Sequence, residues 1–339
     1  MTDNNKIDEF WQFVTDCLED IKKTTIDNYS ENSINRKYNV FNCINDQTIR
    51  RYMGLGRSFD SKLGNEIQKI AIKLSRVKYG DINVPNIILI NTEDENDNRK
   101  FILNLYTIKD NFQQRVFYNI KPDDFLRDFN NDNIELSKSI EFTLPKSSRK
   151  ASLTKLNKYK ITDTKKKIKK LVDLLYIEDI DDTTKTKLTT FELKSGGNLD
   201  TKNSKANVDE VKLLKDIFKF FPQNDSFFAT AYNNAGEGVP SGSVFTKLKK
   251  EKLEYKVGKD FWNMLLPEEL GYECFIENYK QKFIKSGIEE EYKNLDTVPN
   301  DINFEKESKK KETSKIVKKK KVVERKPTPK KSKSDNGEV

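Results

Sequence analysis

Residues 189–204, TTFELKSGGNLDTKNS, carry Glu192 and Lys194 at the end of a β-like run, followed by two glycines and a polar cluster. The two-residue period of a strand puts Thr190, Glu192 and Lys194 on one face and turns Phe191 and Leu193 toward a core. Upstream, Asp173 interrupts the apolar run KLVDLLYI between Leu171, Val172, Leu174 and Leu175. An ionised carboxylate buried in such a strand is costly unless something pairs with it. Two carboxylates on neighbouring strands can hold a hard cation such as Mg²⁺, with the Leu193 carbonyl able to add a ligand. A nearby ammonium can then orient or deprotonate a water. The alternative is a structural ion pair between Asp173 and Lys194. Gly196 and Gly197 allow a sharp turn just beyond and let a phosphate backbone approach.

A third carboxylate is out of place on a helix. Phe59, Leu63, Ile67, Ile70, Leu74 and Val77 repeat as one helical face, with Ser58 as a cap, and Glu66 falls in the middle of that apolar stripe. Lys62 and Lys69 flank the stripe without replacing a buried partner. A helix acid aimed at the strands would add to a metal site. Asp/Glu-x-Lys also occurs at residues 20–22, 60–62, 200–202 and 307–309, so the tripeptide alone says little. Strand context, the upstream Asp173 and the glycines single out the copy at 192–194.

The elements that must position these groups follow from periodicity. Ile7, Phe10, Trp11, Val14, Leu18 and Ile21 mark an amphipathic helix, and a polar stretch from about 25 to 50 reads as irregular. Residues 86–120 contain two β-branched runs parted by turn chemistry, which predicts a hairpin or two adjacent strands. Residues 121–170 mix a short helical pattern, PDDFLRDF, with a Ser/Lys-rich loop. Then KKLVDLLYIED, TKLTTFELK, NVDEVKLLKDIFKFF and SFFATAYNN read as strand, strand, helix and strand, an α/β core. Helices in residues 258–287 close the globular part, and Phe261 and Trp262 are spaced to pack with Leu265 and Leu266.

Composition limits the chemistry. The chain has no histidine, which excludes Ser-His-Asp and Cys-His catalysis, His-containing zinc sites and histidine-based nucleases. Cys17, Cys43 and Cys274 are far apart and odd in number, as expected of buried thiols, not of a disulfide framework. Of 63 Lys plus Arg and 54 Asp plus Glu, 14 and 5 lie in residues 306–339, so the other 305 residues carry 49 of each sign. The body is neutral and the net charge of +9 belongs to a Lys-rich tail. That tail, from about 301, has the composition of a disordered segment, either simply solvated or drawn to nucleic acid. No apolar run approaches the roughly 20 residues of a membrane span, and the N-terminus lacks signal-peptide order. A soluble, cytoplasmic protein is expected, with residues 1–300 as the catalytic body.

The arrangement of Asp173, Glu192 and Lys194 resembles the PD-(D/E)XK nuclease superfamily. The phrases FDSKLGNEIQKIA, VDLLYI, FELKSGGNLD, FATAYN and GKDFWN are together similar to one group of type II restriction endonucleases, which includes enzymes cutting GGNCC-type sites. The likeness spans about residues 50–285, and Val172 stands where the superfamily label has Pro. It implies an α/β restriction-endonuclease-like core, a mixed central sheet flanked by helices. It further implies Asp173 and Glu192 as Mg²⁺ ligands with the Leu193 carbonyl, Lys194 as the residue positioning or activating water, and Glu66 as a supporting acid. The implied activity is Mg²⁺-dependent, site-specific hydrolysis of double-stranded DNA by a homodimer, in a restriction-modification pair with a DNA methyltransferase.

For DNA contact, DTKNSKAN offers Asp200, Lys202, Asn203, Lys205 and Asn207 just after the catalytic strand, residue types equally at home in a solvated helix-entry loop. Arg57, Asn233 and Asn234 are further candidates, and NNAGEGVPSGS is either a phosphate cradle or a flexible connection. Two rival readings use the same residues differently. One is a repair or structure-specific nuclease needing ends, flaps or junctions. The other is a noncatalytic DNA-binding protein working through its tail, with steep salt dependence and no need of Mg²⁺.

Overall fold

The computed structural model describes residues 3–35, 47–92, 100–118, 125, 134–143, 168–197, 201–218 and 221–294. The tail, Cys43 and the PDDFLRDF helix apart from Phe125 lie outside the described residues, as does the Ser/Lys-rich loop before residue 168.

Two long helices, α1 (Asp3–Asn35) and α2 (Gln47–Tyr79), pack on each other through the faces their periodicity predicts. Both outrun that periodicity: α1 continues through residues 25–35, and α2 begins 11 residues before Ser58, which is helix interior and not a cap. Asn and Ser disfavour helix only by tenths of a kcal/mol each, roughly, and packing outweighs that where no proline intervenes.

Five strands form a first mixed sheet: β1 (Ile87–Thr92), β2 (Lys100–Ile108), β3 (Gln114–Tyr118), β4 (Ile134–Thr143) and β5 (Ile168–Val172), in the order β4-β2-β1-β3-β5. The predicted hairpin is β1 with β2, and β3 is an additional strand parallel to β1. A second mixed sheet orders β6 (Leu174–Glu178), β7 (Lys187–Lys194), β8 (Gln223–Thr230) and β9 (Glu254–Val257) as β6-β7-β8-β9. Helix α3 (Thr201–Ile217) makes the crossover that parallel β7 and β8 require. Helix α4 (Ser243–Lys250) does the same between β8 and β9. The class is mixed α/β, with two sheets flanked by helices where one central sheet was expected.

The division falls at Asp173. Residues 169–179 were expected to form one strand, yet β5 pairs with β3 in one sheet and β6 with β7 in the other. The buried Gln114 side chain splices the break. Its Nε2 donates to Leu175 O at 2.9 Å and Pro85 O at 2.8 Å, while its Oε1 accepts Leu175 N–H at 2.7 Å. It thereby supplies the ladder bonds that the backbone loses where the strand changes sheets.

Alternation assigns β6 and β7 two buried faces. Leu174, Tyr176, Phe191 and Leu193 join α1, α2 and the closing helices α5 (Lys259–Leu265), α6 (Tyr272–Lys285) and α7 (Ile288–Asn294) in one core. Leu175, Ile177 and Leu188 face the other way, toward the first sheet and Leu214, Ile217 and Phe218 of α3 and its end. Phe261 and Trp262 are buried as predicted. Cys17 is buried as expected, but Cys274 is exposed, its helix showing only Phe275 to the core at that turn. Among the described residues no helix is long and apolar enough to cross a membrane.

Phe191 is fully buried, with ring centroids of Phe227 and Phe261 both 5.5 Å away. Phe191→Ala is expected to cost about 3–5 kcal/mol, read as a lower urea midpoint at unchanged slope in equilibrium unfolding.

Candidate active site

Antiparallel pairing of β6 with β7 sets Leu174 opposite Phe191, so Asp173, one step outward, comes opposite Glu192. The Asp173 Oδ2 accepts the Leu193 N–H at 2.9 Å and lies 3.5 Å from Lys194 Nζ. Lys194 Nζ also lies 2.7 Å from Glu192 Oε1. Asp173 is fixed from behind as well, since Gln68 of α2 donates to its backbone carbonyl at 2.9 Å. The three charged side chains are half-buried at most in exposure, 27%, 13% and 33% for Asp173, Glu192 and Lys194. They are therefore reachable from solvent yet poorly hydrated.

Electrostatics follow from that position. Burial, reinforced by the Asp173 charge, pushes the Glu192 carboxyl above the usual glutamate range, with Lys194 and Lys170 opposing the shift. Burial also disfavours the charge on Lys194, but Asp173 and Glu192 outweigh it and hold the ammonium above the usual lysine range. One ammonium thus serves two crowded carboxylates. A hard divalent cation would relieve this repulsion, and Mg²⁺ is commonly held by one or two carboxylates completed by water. Among the described residues no group of three or more metal-ligating side chains forms. The donor set available is Asp173, Glu192 and backbone carbonyls such as that of Leu193, which fits Mg²⁺ and does not fit a tetrahedral thiolate or imidazole metal.

Glu66 does not join the three. It is 1% exposed, as its place in the apolar stripe predicts, but α2 packs on β6 and shares the core with Phe191 and Leu193, the face of β7 opposite Glu192. Its Oε1 pairs with Lys69 at 2.8 Å and Lys62 at 3.2 Å, so both flanking lysines curl in to partner it, contrary to expectation. Lys62 also reaches Asp20 of α1 at 2.6 Å. Burial, and then this carboxylate, push the neighbouring Cys17 thiol up, away from thiolate chemistry. These groups line a cavity of about 640 Å³ between α1, α2 and residues 110–113.

The chain bends at Ser195 and Gly197 as expected, and the two glycines have a packing role besides. Neither has positive φ. A Cβ on Gly196 would lie 2.5 Å from the Tyr232 ring, and one on Gly197 would lie 2.5 Å from the Phe245 ring. Their missing side chains leave room for these two aromatic rings. DTKNSKAN is not a loop: helix α3 starts at Thr201. Asn203 and Lys205 are exposed on its first turns, whereas Asn207 is buried and donates to Asn203 O at 2.8 Å. Asn233 organises its own turn, accepting Ala235 N–H at 3.0 Å and donating to Gly238 O at 2.7 Å, which leaves Asn234 exposed beside it. Asp200 and the side chains of Arg57 and Lys202 lie outside the described residues.

Four positions escape a local reading. Gln68 and Gln114 anchor the backbone around Asp173. Lys170 of β5 lies close enough to Glu192, Asp173 and Lys194 to feel their charges, and it pairs with Glu210 of α3. The only sequence signal for Lys170 is that it shares a strand face with buried Val172, just before the break.

Glu66→Ala is expected to cost about 1–3 kcal/mol by removing the near partner of Lys69 and one of the two partners of Lys62, while leaving Mg²⁺ affinity unchanged. Urea unfolding and calorimetric titration with Mg²⁺ check the two halves, and a weakened Mg²⁺ isotherm would return Glu66 to the site. No family model, curated protein or solved structure matches this chain, so its chemistry rests on its own residues.

Proposed function

We propose that the protein is a Mg²⁺-dependent endonuclease that hydrolyses phosphodiesters of double-stranded DNA, of the type II restriction kind. The observation that carries this reading is the apposition of Asp173 and Glu192 across β6 and β7 with Lys194 reaching both. The order α2, β6, β7, α3, β8, with the acidic pair at the strand ends, supports a restriction-endonuclease-like core. Cleavage of both strands of a palindromic site would call for a two-fold dimer, and protection of host DNA for a methyltransferase acting on the same sequence.

Asp173 and Glu192 are the residues that would hold Mg²⁺, which when bound supplies positive charge to the phosphate oxygens. Asp173 is already aimed, its Oδ2 fixed by the Leu193 amide. Lys194, 2.7 Å from Glu192 and 3.5 Å from Asp173, is placed to position or activate the attacking water beside the two carboxylates. The water's proton leaves to solvent as its oxygen bonds to phosphorus, the P–O bond to the sugar breaks, and the departing oxygen takes a proton from solvent.

A purely structural ion pair would need one carboxylate for Lys194. Here there are two, and the second lies in a setting that disfavours its charge. Glu192→Ala and Asp173→Ala are each expected to lower cleavage of long unmethylated duplex DNA by about two to three orders of magnitude without removing duplex binding. Gel analysis with and without Mg²⁺ checks this. Discrete fragments favour site-specific cleavage over a structure-specific nuclease, and wild-type rates in Glu192→Ala would sink the assignment.

A further inference from the structure

The site contains a second lysine that the scheme above does not use. Lys170 sits on β5, three residues before Asp173, and pairs with Glu210 on α3, the two side chains each 24% exposed. It stands on the far side of the sheet break from Glu192 and Lys194, yet β5 and α3 both pack against β7, which brings Lys170 within range of the charges of Glu192, Asp173 and Lys194. β5, the end of β7 and the middle of α3 thus converge on one spot from two sheets and a crossover helix.

The charge balance there is informative. Asp173, Glu192 and Glu210 set against Lys170 and Lys194 leave one negative charge in excess. A divalent cation on the acidic pair turns that into one positive charge, matching a single phosphodiester. Lys194 is engaged at 2.7 and 3.5 Å by the acidic pair that would hold the cation, so it cannot also turn to a phosphate without abandoning them. Lys170 is partnered by Glu210, which has no part in holding the cation. Burial holds the Lys170 ammonium below the usual lysine range, so an anion placed there is poorly screened by water.

We propose that Lys170 binds a phosphate of the DNA backbone at the cleavage site, and that Glu210 is a positioning residue which holds the ammonium in place until the phosphate replaces it. This rests on the nuclease reading. It assigns the two lysines separate tasks, Lys194 to the water and Lys170 to the substrate.

The test uses the full-length protein as wild type, Lys170→Met, Lys170→Arg and Glu210→Gln. Cleavage of long unmethylated duplex DNA in Mg²⁺ gives KM and kcat, and duplex binding across a salt series gives the slope of log K against log[salt]. Lys170→Met is expected to raise KM about tenfold and to make the salt slope shallower by about 0.9, the loss of one phosphate contact. Lys170→Arg should restore the slope, and Glu210→Gln should bind duplex at least as tightly as wild type. The basic tail contributes equally to every variant, so the differences isolate residue 170. An unchanged slope and KM in a folded Lys170→Met protein, with wild type cleaving normally, would reduce the pair to a structural salt bridge and overturn the proposal. Failure of wild type to cleave any duplex would overturn the nuclease reading instead, and the proposal with it.

Discussion

The hydrogen bond from the Leu193 amide to Asp173 Oδ2, 2.9 Å long, is the interaction on which the rest of the arrangement turns. An amide at the end of a central strand must find an acceptor, and a carboxylate beside apolar strand residues must find donors. Each solves the other's problem only if the chain at Asp173 leaves the β ladder. That departure is why residues 168–178 form two strands in two sheets. Gln114 then replaces the missing ladder bonds on one side of the break and Gln68 holds the Asp173 carbonyl on the other. The polar site and the change of sheet are one structural event.

The break also leaves the charged strand end partly open to solvent. Glu192 and Lys194 project from β7 on the side of Leu188, where the first sheet and α3 would otherwise complete a dry interior. Their partial exposure at the strand end keeps the cluster accessible while denying it full hydration. In that setting two carboxylates cannot be equally content beside one ammonium, and the strain falls on Glu192, the more buried of the pair. A site with a standing excess of negative charge in poor solvent is disposed toward a small hard cation more than toward another lysine.

Much of this was legible in local pattern. Two-residue alternation correctly placed Phe191 and Leu193 in core and Glu192 with Lys194 on the opposite face, and helical periodicity correctly buried Glu66. What the pattern could not carry was partnership. Lys62 and Lys69 flank the stripe in sequence, but whether they curl inward depends on α1 bringing Asp20 above them. Lys170 and Glu210 are 40 residues apart and read as ordinary surface charges until β5 and α3 are placed together. The early start of α3 was hidden because Thr, Asn and Ser read as loop chemistry, although its buried Ser204 and Asn207 already face inward. Strand β9, only four residues long, has too few positions to show alternation.

The two faces of β7 decide which helix can serve the site. Side chains at odd positions 191 and 193 join the core that α2 lines, and those at even positions 192 and 194 lie on the α3 side, because the strand period leaves no other choice. A side chain on α2 therefore reaches the cluster only through the backbone it braces, as the Gln68 amide does, whereas one on α3 can reach its charged groups, as Glu210 does by pairing with Lys170. Glu66 had the burial expected of a functional acid but grew from the wrong side of the sheet. Burial marks a residue as needing a partner, and topology determines which partner it gets.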